Sequence, residues 1–279
     1  MMEKTPAELY LDLMKKTLAF TLWPEPPRPL SFYNSRLNPI MRMILSTVHR
    51  ILKLKQLILV HEISYTQSQR IDGTISYPGY ADTMIGIKRL DNIQFCIETA
   101  IREKIEGDLI ETGVWRGGAC IFMRAVLAAY GVNDRKVYVA DSFEGLPKPD
   151  TERYLDDKGD EMYTMKYFSV AQKDVEDNFK KYGLLDNQVV FLKGWFKDTL
   201  PNALIDKLAV LRLDGDMYSS TMDALTNLYP KLSKGGFCII DDYGCIGRCR
   251  KAVDDFRTEN GIVSEIKEID WTGRYWRKD

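Results

Sequence analysis

From Asp108 onward the chain alternates short apolar runs with stretches of helical spacing. Leu109 to Val114, Lys136 to Ala140, Gln188 to Leu192, Leu208 to Leu213 and the run ending at Ile240 are of strand length. They are apolar at consecutive rather than alternate positions, which predicts strands buried on both faces, as in a parallel sheet. Helical patterns over Ala119 to Tyr130, Ala171 to Tyr182 and Thr221 to Leu232 separate them, and another follows near Arg248 to Thr258. A terminal strand pair around Ile262 to Ile269 and Arg274 to Trp276 brings the count to seven. This alternation predicts an α/β fold: a mostly parallel seven-stranded sheet with helices on both faces. Residues 145–169 are polar, contain Pro147 and Pro149, and are expected to form a loop over the strand ends.

Upstream the pattern changes. Leu9, Leu11, Leu13, Met14, Leu18 and Leu22 predict an amphipathic helix within residues 6–22, followed by the proline-rich break WPEPPRP. From Pro26 to His61 there are six basic residues (Arg28, Arg36, Arg42, Arg50, Lys53, Lys55) and no acid, set among many Leu and Ile. Such a pattern fits a helix packed on a domain or a partner subunit better than one lying on a membrane. Glu62 to Tyr80 reads as a lid or a connector, ahead of a helical pattern over Thr83 to Glu103. The expected organisation is an N-terminal helical arm and lid over residues 1–82 and a catalytic domain over residues 83–279. The arm has no evident place on the domain, so a homo-oligomer is expected. No run reaches the ~20 apolar residues of a bilayer span.

The strand ends carry the chemistry. LAVLRLDGD places Asp214 and Asp216 after one strand, and GGFCIIDDY places Asp241 and Asp242 after the next. Ligands of open α/β sheets bind outside the carboxyl ends of the strands, so these four carboxylates are expected to converge. Like charges that close raise one another's pKa and call for a cation, and oxygen ligands suit Mg²⁺ or Ca²⁺. The first strand ends in Glu111-Thr112-Gly113, leading through Trp115-Arg116-Gly117-Gly118 into a helix. The second ends in Asp141-Ser142-Phe143, placing a carboxylate to bind both hydroxyls of a ribose. The third ends in Gly194-Trp195-Phe196, aromatics suited to a purine. A nucleoside-containing cofactor follows. E-T-G-V-W-R-G-G lacks the G-x-G-x-x-G spacing a pyrophosphate needs and carries an acid. The sulfonium and ammonium of S-adenosyl-L-methionine would instead be drawn to Glu111 and the aspartate-rich edge.

Charge and composition remove other classes. The 39 basic and 40 acidic residues nearly cancel, which gives no reason to expect nucleic acid as a partner. The five cysteines form no zinc pattern, and Cys96, Cys120 and Cys238 are expected in the core. The N-terminus lacks the features of a signal peptide, so a cytoplasmic location is expected. Both histidines, His49 and His61, precede the strands that carry the acids. Acid-base chemistry there must use carboxylates, Lys or Tyr unless the N-terminal segment folds over the site.

TMIGIKRLDN, GDLIETGVWRGGACIFMRA, VADSFEGLP, GWFKDTLP, LRLDGDMYSST and IIDDYG together resemble the macrocin O-methyltransferase family, over roughly Thr83 to Trp276 and a short piece at the N-terminus. The resemblance implies a class I, Rossmann-like methyltransferase fold. It also implies S-adenosylmethionine- and Mg²⁺-dependent methylation of sugar hydroxyls on macrolide or aminocoumarin natural products. Carried onto this sequence, it places Thr83, Met84, Glu111, Gly113, Trp115, Asp141, Ser142, Trp195 and Asp214 at the cofactor. Asp214, Asp241 and Asp242 would hold the metal, and Asp214 and Asp216 would act on the acceptor. That acceptor would be a small molecule with adjacent hydroxyls, on a glycosyl group. Two alternatives keep the fold: a catechol-like acceptor, and a ligand-binding protein without turnover.

Overall fold

The computed structural model describes residues 4–29, 38–61, 66–75 and 77–279. Arg36 and parts of the segment read as a lid lie outside the described residues. Strands β1 (Asp108–Thr112), β2 (Val137–Asp141), β3 (Val189–Lys193), β4 (Leu208–Leu213), β5 (Leu232–Ile240), β6 (Lys267–Glu268) and β7 (Arg274–Arg277) form one sheet, in the order β3-β2-β1-β4-β5-β7-β6. The first five are parallel, while β7 runs antiparallel to β5 and β6 antiparallel to β7. Register aligns their ends: Thr112 lies opposite Ala140 and Leu213, and Leu213 opposite Ile240. The residues that follow, Gly113, Asp141, Asp214 and Asp241, therefore emerge level at one edge.

Alternate side chains of the strands feed two cores. On one face Leu109, Val139 and Val210 meet helices α1 (Pro6–Leu18), α4 (Ile87–Arg102) and α5 (Gly118–Ala129). On the other, Ile110, Leu211 and Ile240 meet α8 (Tyr218–Leu228) and α9 (Gly247–Glu259), with Trp276 fully buried. Helix α6 (Gln172–Lys181) precedes β3, and the short α7 (Phe196–Thr199) follows it. Near the N-terminus lie α2 (Pro39–Lys53) and α3 (Gln67–Asp72). The predicted strands and helices appear within a few residues of their expected limits, with two differences. Helix α4 starts at Ile87, because Thr83–Gly86 is drawn against neighbouring backbone: a Cβ on Gly86 would come within 2.4 Å of the Ile71 carbonyl oxygen. The expected strand over Ile262 to Ile269 contracts to the two residues of β6.

The two described helices nearest the N-terminus have different surroundings. Helix α1 starts at a capping box, with Thr5 and Glu8 bonding each other's backbone N–H, and Pro6 opens the helix where its missing N–H costs nothing. Its Leu11 and Leu18 are fully buried in the same core as Ile93 and Phe122, so the helix has a place on the domain after all. Helix α2 has no buried residue, and it presents Ile40, Met43, Ile44 and Ile51 to solvent. Arg28 does not belong to a solvated basic face: it is buried, donating to Glu25 and to the Tyr77 carbonyl. No helix among the described residues is long and apolar enough to cross a membrane.

Candidate active site

A cavity of about 410 Å³ opens at the carboxyl edge of the sheet, within the range of small-molecule sites. The loop after β1 forms one wall. Gly113 has φ +86°, and a Cβ there would lie 1.7 Å from the Asp214 carbonyl oxygen, so only glycine lets the ends of β1 and β4 pass so closely. Trp115 (φ +47°), Phe143 (φ +58°) and Asp216 (φ +56°) adopt left-handed backbone at three neighbouring strand ends. For non-glycine residues this conformation is strained and collects at functional sites.

Met84, Gly113, Trp115, Asp141, Ser142 and Trp195 line the cavity. Asp141 accepts from the N–H of Val114 at 2.8 Å and of Phe143 at 2.7 Å, and from the Ser142 hydroxyl at 3.4 Å, which fixes its carboxylate. Burial raises its pKa, and the backbone N–H donors partly offset this. The Trp115 indole N–H donates to the Tyr167 carbonyl at 3.0 Å, tying the wall to the loop over residues 145–169. That loop contributes Leu146, Tyr154, Met162 and Phe168 to the lining, as the sequence suggested. Asp157 anchors it: its two oxygens accept from the N–H of Tyr218 at 2.8 Å and Ser219 at 2.9 Å, capping α8.

Thr83 and Glu111 are placed differently from the cofactor-lining role the resemblance implied. Thr83 is buried beneath the lining, and its carbonyl accepts from Arg70. Glu111 is 2% exposed and bonded to Arg212 and Cys120, so its charge is met inside the protein rather than presented to a ligand. Tyr243, the aromatic that follows Asp242, donates its hydroxyl to Asp254 and does not reach the lining.

Asp214, Asp241 and Asp242 each bring a carboxylate oxygen within 4.8 Å of the others. Asp216 lines the same cavity. Two buried arginines organise this cluster. Arg212 bonds Glu111, Asp214 (3.1 Å) and Asp241. Arg89, from the first turn of α4, donates to Asp241 at 2.5 Å and to Asp270 at 2.9 Å. Burial acts to raise the Asp241 pKa, but Arg89 and Arg212 outweigh it and hold the carboxyl below its usual value. Asp214 is pushed well up by burial and by Asp241, with Arg212 only partly compensating. Asp242 is pushed well up by burial and by Asp216, Asp214 and Asp241. Its Oδ2 is buried without a hydrogen-bond partner. Asp216 is raised to about 7 by burial, then by Asp241 and Asp160.

Sequence reasoning gave Arg212 no role, and missed Arg89, Asp270 and Asp157. The signal for Arg212 was present: a charge inside LAVLRL, a strand buried on both faces, must find carboxylates there. Nothing in the spacing of Arg89 and Asp270, 181 residues apart, announces their pairing.

A largely parallel sheet of this order, with its cavity across the ends of β1, β2 and β4, defines the protein as an enzyme of the class I methyltransferase fold. Residues 7–278 match the family described as macrocin-O-methyltransferase (TylF), and the chain belongs to that family. It is 45% identical to the mycinamicin III 3''-O-methyltransferase of Micromonospora griseorubida, over 100% of this chain and 99% of that one. It is also 45% identical to a Streptomyces olivaceus enzyme, the 8-demethyl-8-(2,3-dimethoxy-alpha-L-rhamnosyl)-tetracenomycin-C 4'-O-methyltransferase, over 99% of this chain and 95% of the relative. The solved structure of the O-methyltransferase NovP superposes with a TM-score of 0.83 at 44% identity, covering 98% of this chain and 99% of that one. The protein is thus an O-methyltransferase.

Proposed function

We propose that the enzyme transfers a methyl group from S-adenosylmethionine to a hydroxyl of a glycosyl group on a natural product, with Mg²⁺ at the aspartate cluster. The observation that carries this reading is the carboxylate triad, set in the same cavity as Asp141 and Trp195. A divalent cation fits the triad: three hard oxygen donors converge, two of them disfavoured as free anions, and Asp242 Oδ2 is buried with no other partner. Asp214, Asp241 and Asp242 would hold the ion, which when bound would make an acceptor hydroxyl more acidic. The relative named for a rhamnosyl-bearing tetracenomycin favours a glycosyl acceptor over a catechol.

The chain's own residues account for the remaining requirements. Asp141, fixed by two backbone donors, is set to bind ribose hydroxyls, and Trp195 to cover the purine. The loop over residues 145–169, anchored by Asp157, keeps water from the reacting atoms. As the acceptor oxygen forms its bond to the methyl carbon and the carbon–sulfur bond breaks, Asp216 takes the hydroxyl proton. Five unpaired cysteines suit a reducing, cytoplasmic setting.

Calorimetric titration with S-adenosylmethionine, with NAD⁺ as control, tests the cofactor. Micromolar binding of S-adenosylmethionine is expected, and its absence with and without Mg²⁺ would remove the reading. The proposed base predicts a pH profile. Asp216 must be ionised to accept a proton, so turnover should rise with pH and level off at or below about 7, since a bound cation would draw its pKa down. Asp216→Asn should lose this acid limb, and an unchanged profile in that variant would take the base role from Asp216.

A further inference from the structure

On the reading just given, the cofactor end of the cavity lies at β1, β2 and β3, and the carboxylate cluster at β4 and β5. The acceptor must then approach from the cluster's far side. In sheet order the next strand is β7, and because it is antiparallel its first residue, Arg274, pairs with Ile240, the last of β5. The turn before β7 is thereby delivered to the edge where the parallel strands end.

That turn is firmly held. Asp270 Oδ1 accepts from the N–H of Thr272 at 3.0 Å and of Gly273 at 2.8 Å, and its Oδ2 accepts from Arg89. Thr272 Oγ1 donates to the Asp241 carbonyl at 2.9 Å, and the Gly244 N–H donates to the Thr272 carbonyl at 2.8 Å. Asp270 and Thr272 are 6% and 1% exposed, yet Trp271 between them is 49% exposed and lines the cavity. Among the described residues its indole N–H has no acceptor and its ring no aromatic neighbour. A large apolar ring half-exposed at a cavity mouth is costly to leave in water, and the firmly held turn that carries it has little freedom left to lose on binding.

We propose that Trp271 is an acceptor-recognition residue, its indole lying against the face of C–H groups that a pyranose ring presents. Arg89 and Asp270 are positioning residues for it. Through Asp241, Arg89 ties the same turn to the proposed metal ligands, so the platform and the reacting centre keep a fixed separation. A pyranose with an apolar face suits an indole, which offers an apolar surface with a polar edge.

The test uses Trp271→Ala and Trp271→Phe in the full chain. The acceptors are mycinamicin III and the rhamnosyl-bearing tetracenomycin named for the two relatives. Contact made equally in ground and transition states appears in KM rather than kcat. For Trp271→Ala the acceptor KM should rise about 10-fold or more, with kcat kept within about 3-fold. S-adenosylhomocysteine affinity and thermal stability should not change. Trp271→Phe, which keeps an apolar ring, should stay within about 3-fold of the unsubstituted KM. An acceptor KM unchanged in Trp271→Ala overturns the proposal, as does a loss confined to cofactor affinity or stability. Should the unsubstituted enzyme methylate neither acceptor although it binds S-adenosylmethionine, the glycosyl reading falls and this proposal with it.

Discussion

Replacing Asp242 by asparagine is expected to lower turnover about 100-fold or more while leaving the fold as stable as before. The two halves of this expectation rest on one observation. Asp242 is buried and its Oδ2 bonds to nothing within the protein, so the fold loses no contact when the charge is removed. Its pKa is raised in the folded state, so the ionised form costs stability. That cost grows as pH rises from the unfolded carboxyl value through the higher folded one, and it disappears as pH falls. The neutral amide escapes it. In EDTA the variant should therefore melt no lower than the unsubstituted enzyme, and at neutral or higher pH slightly above it. Steady-state turnover beside thermal unfolding checks both halves. Activity within about 3-fold of the original would mean that this carboxylate does not take part in the reaction.

The second large effect is on the fold itself. Arg212 is 1% exposed and faces Glu111, Asp214 and Asp241; in Arg212→Ala the buried Glu111 and the half-buried Asp214 would lose their cation, and Asp241 would keep only Arg89. Breaking a buried pair from one side costs about 3–5 kcal/mol, a large fraction of the stability of a typical domain. Burial already raises the pKa of Glu111 and Asp214 in the folded state, and without Arg212 both would rise further above their unfolded values. The folded state would bind more protons than the unfolded state, so the variant should regain stability as pH is lowered and lose it as pH rises. Urea unfolding at two pH values reads this directly. A variant as stable as the original at neutral pH would show that the carboxylates do not depend on Arg212. Asp242 and Arg212 separate the site's two needs, since one charge is left free inside the protein and the other is wholly consumed by it.

The same contrast explains what could be read before any coordinates. The strand ends at Gly113, Asp141, Trp195, Asp214 and Asp241 were legible because parallel strands must be apolar along their whole length, so each polar break marks the working edge. Asp214, Asp241 and Asp242 were legible as a cluster because register in a parallel sheet sets neighbouring strand ends level. Glu111 was read as facing a ligand. The sequence places it one residue inside the strand, and only the structure shows Arg212 beside it. The opposite fates of α1 and α2 were likewise not legible, because both are amphipathic. Amphipathicity says that one face must be covered, not what covers it.

By itself, then, the sequence determined the order and burial of the strands, the residues that terminate them, and the family motifs those residues spell. These depend on local periodicity and on positions close together in the chain. Only the tertiary structure decided which charges are spent within the protein and which face the cavity. It took the packing of α4 against the turn before β7 to bring Arg89 to Asp270 and to set Trp271 at the cavity mouth. Such pairings cross most of the chain, and the low dielectric of the interior that enforces them exists only once the chain has folded.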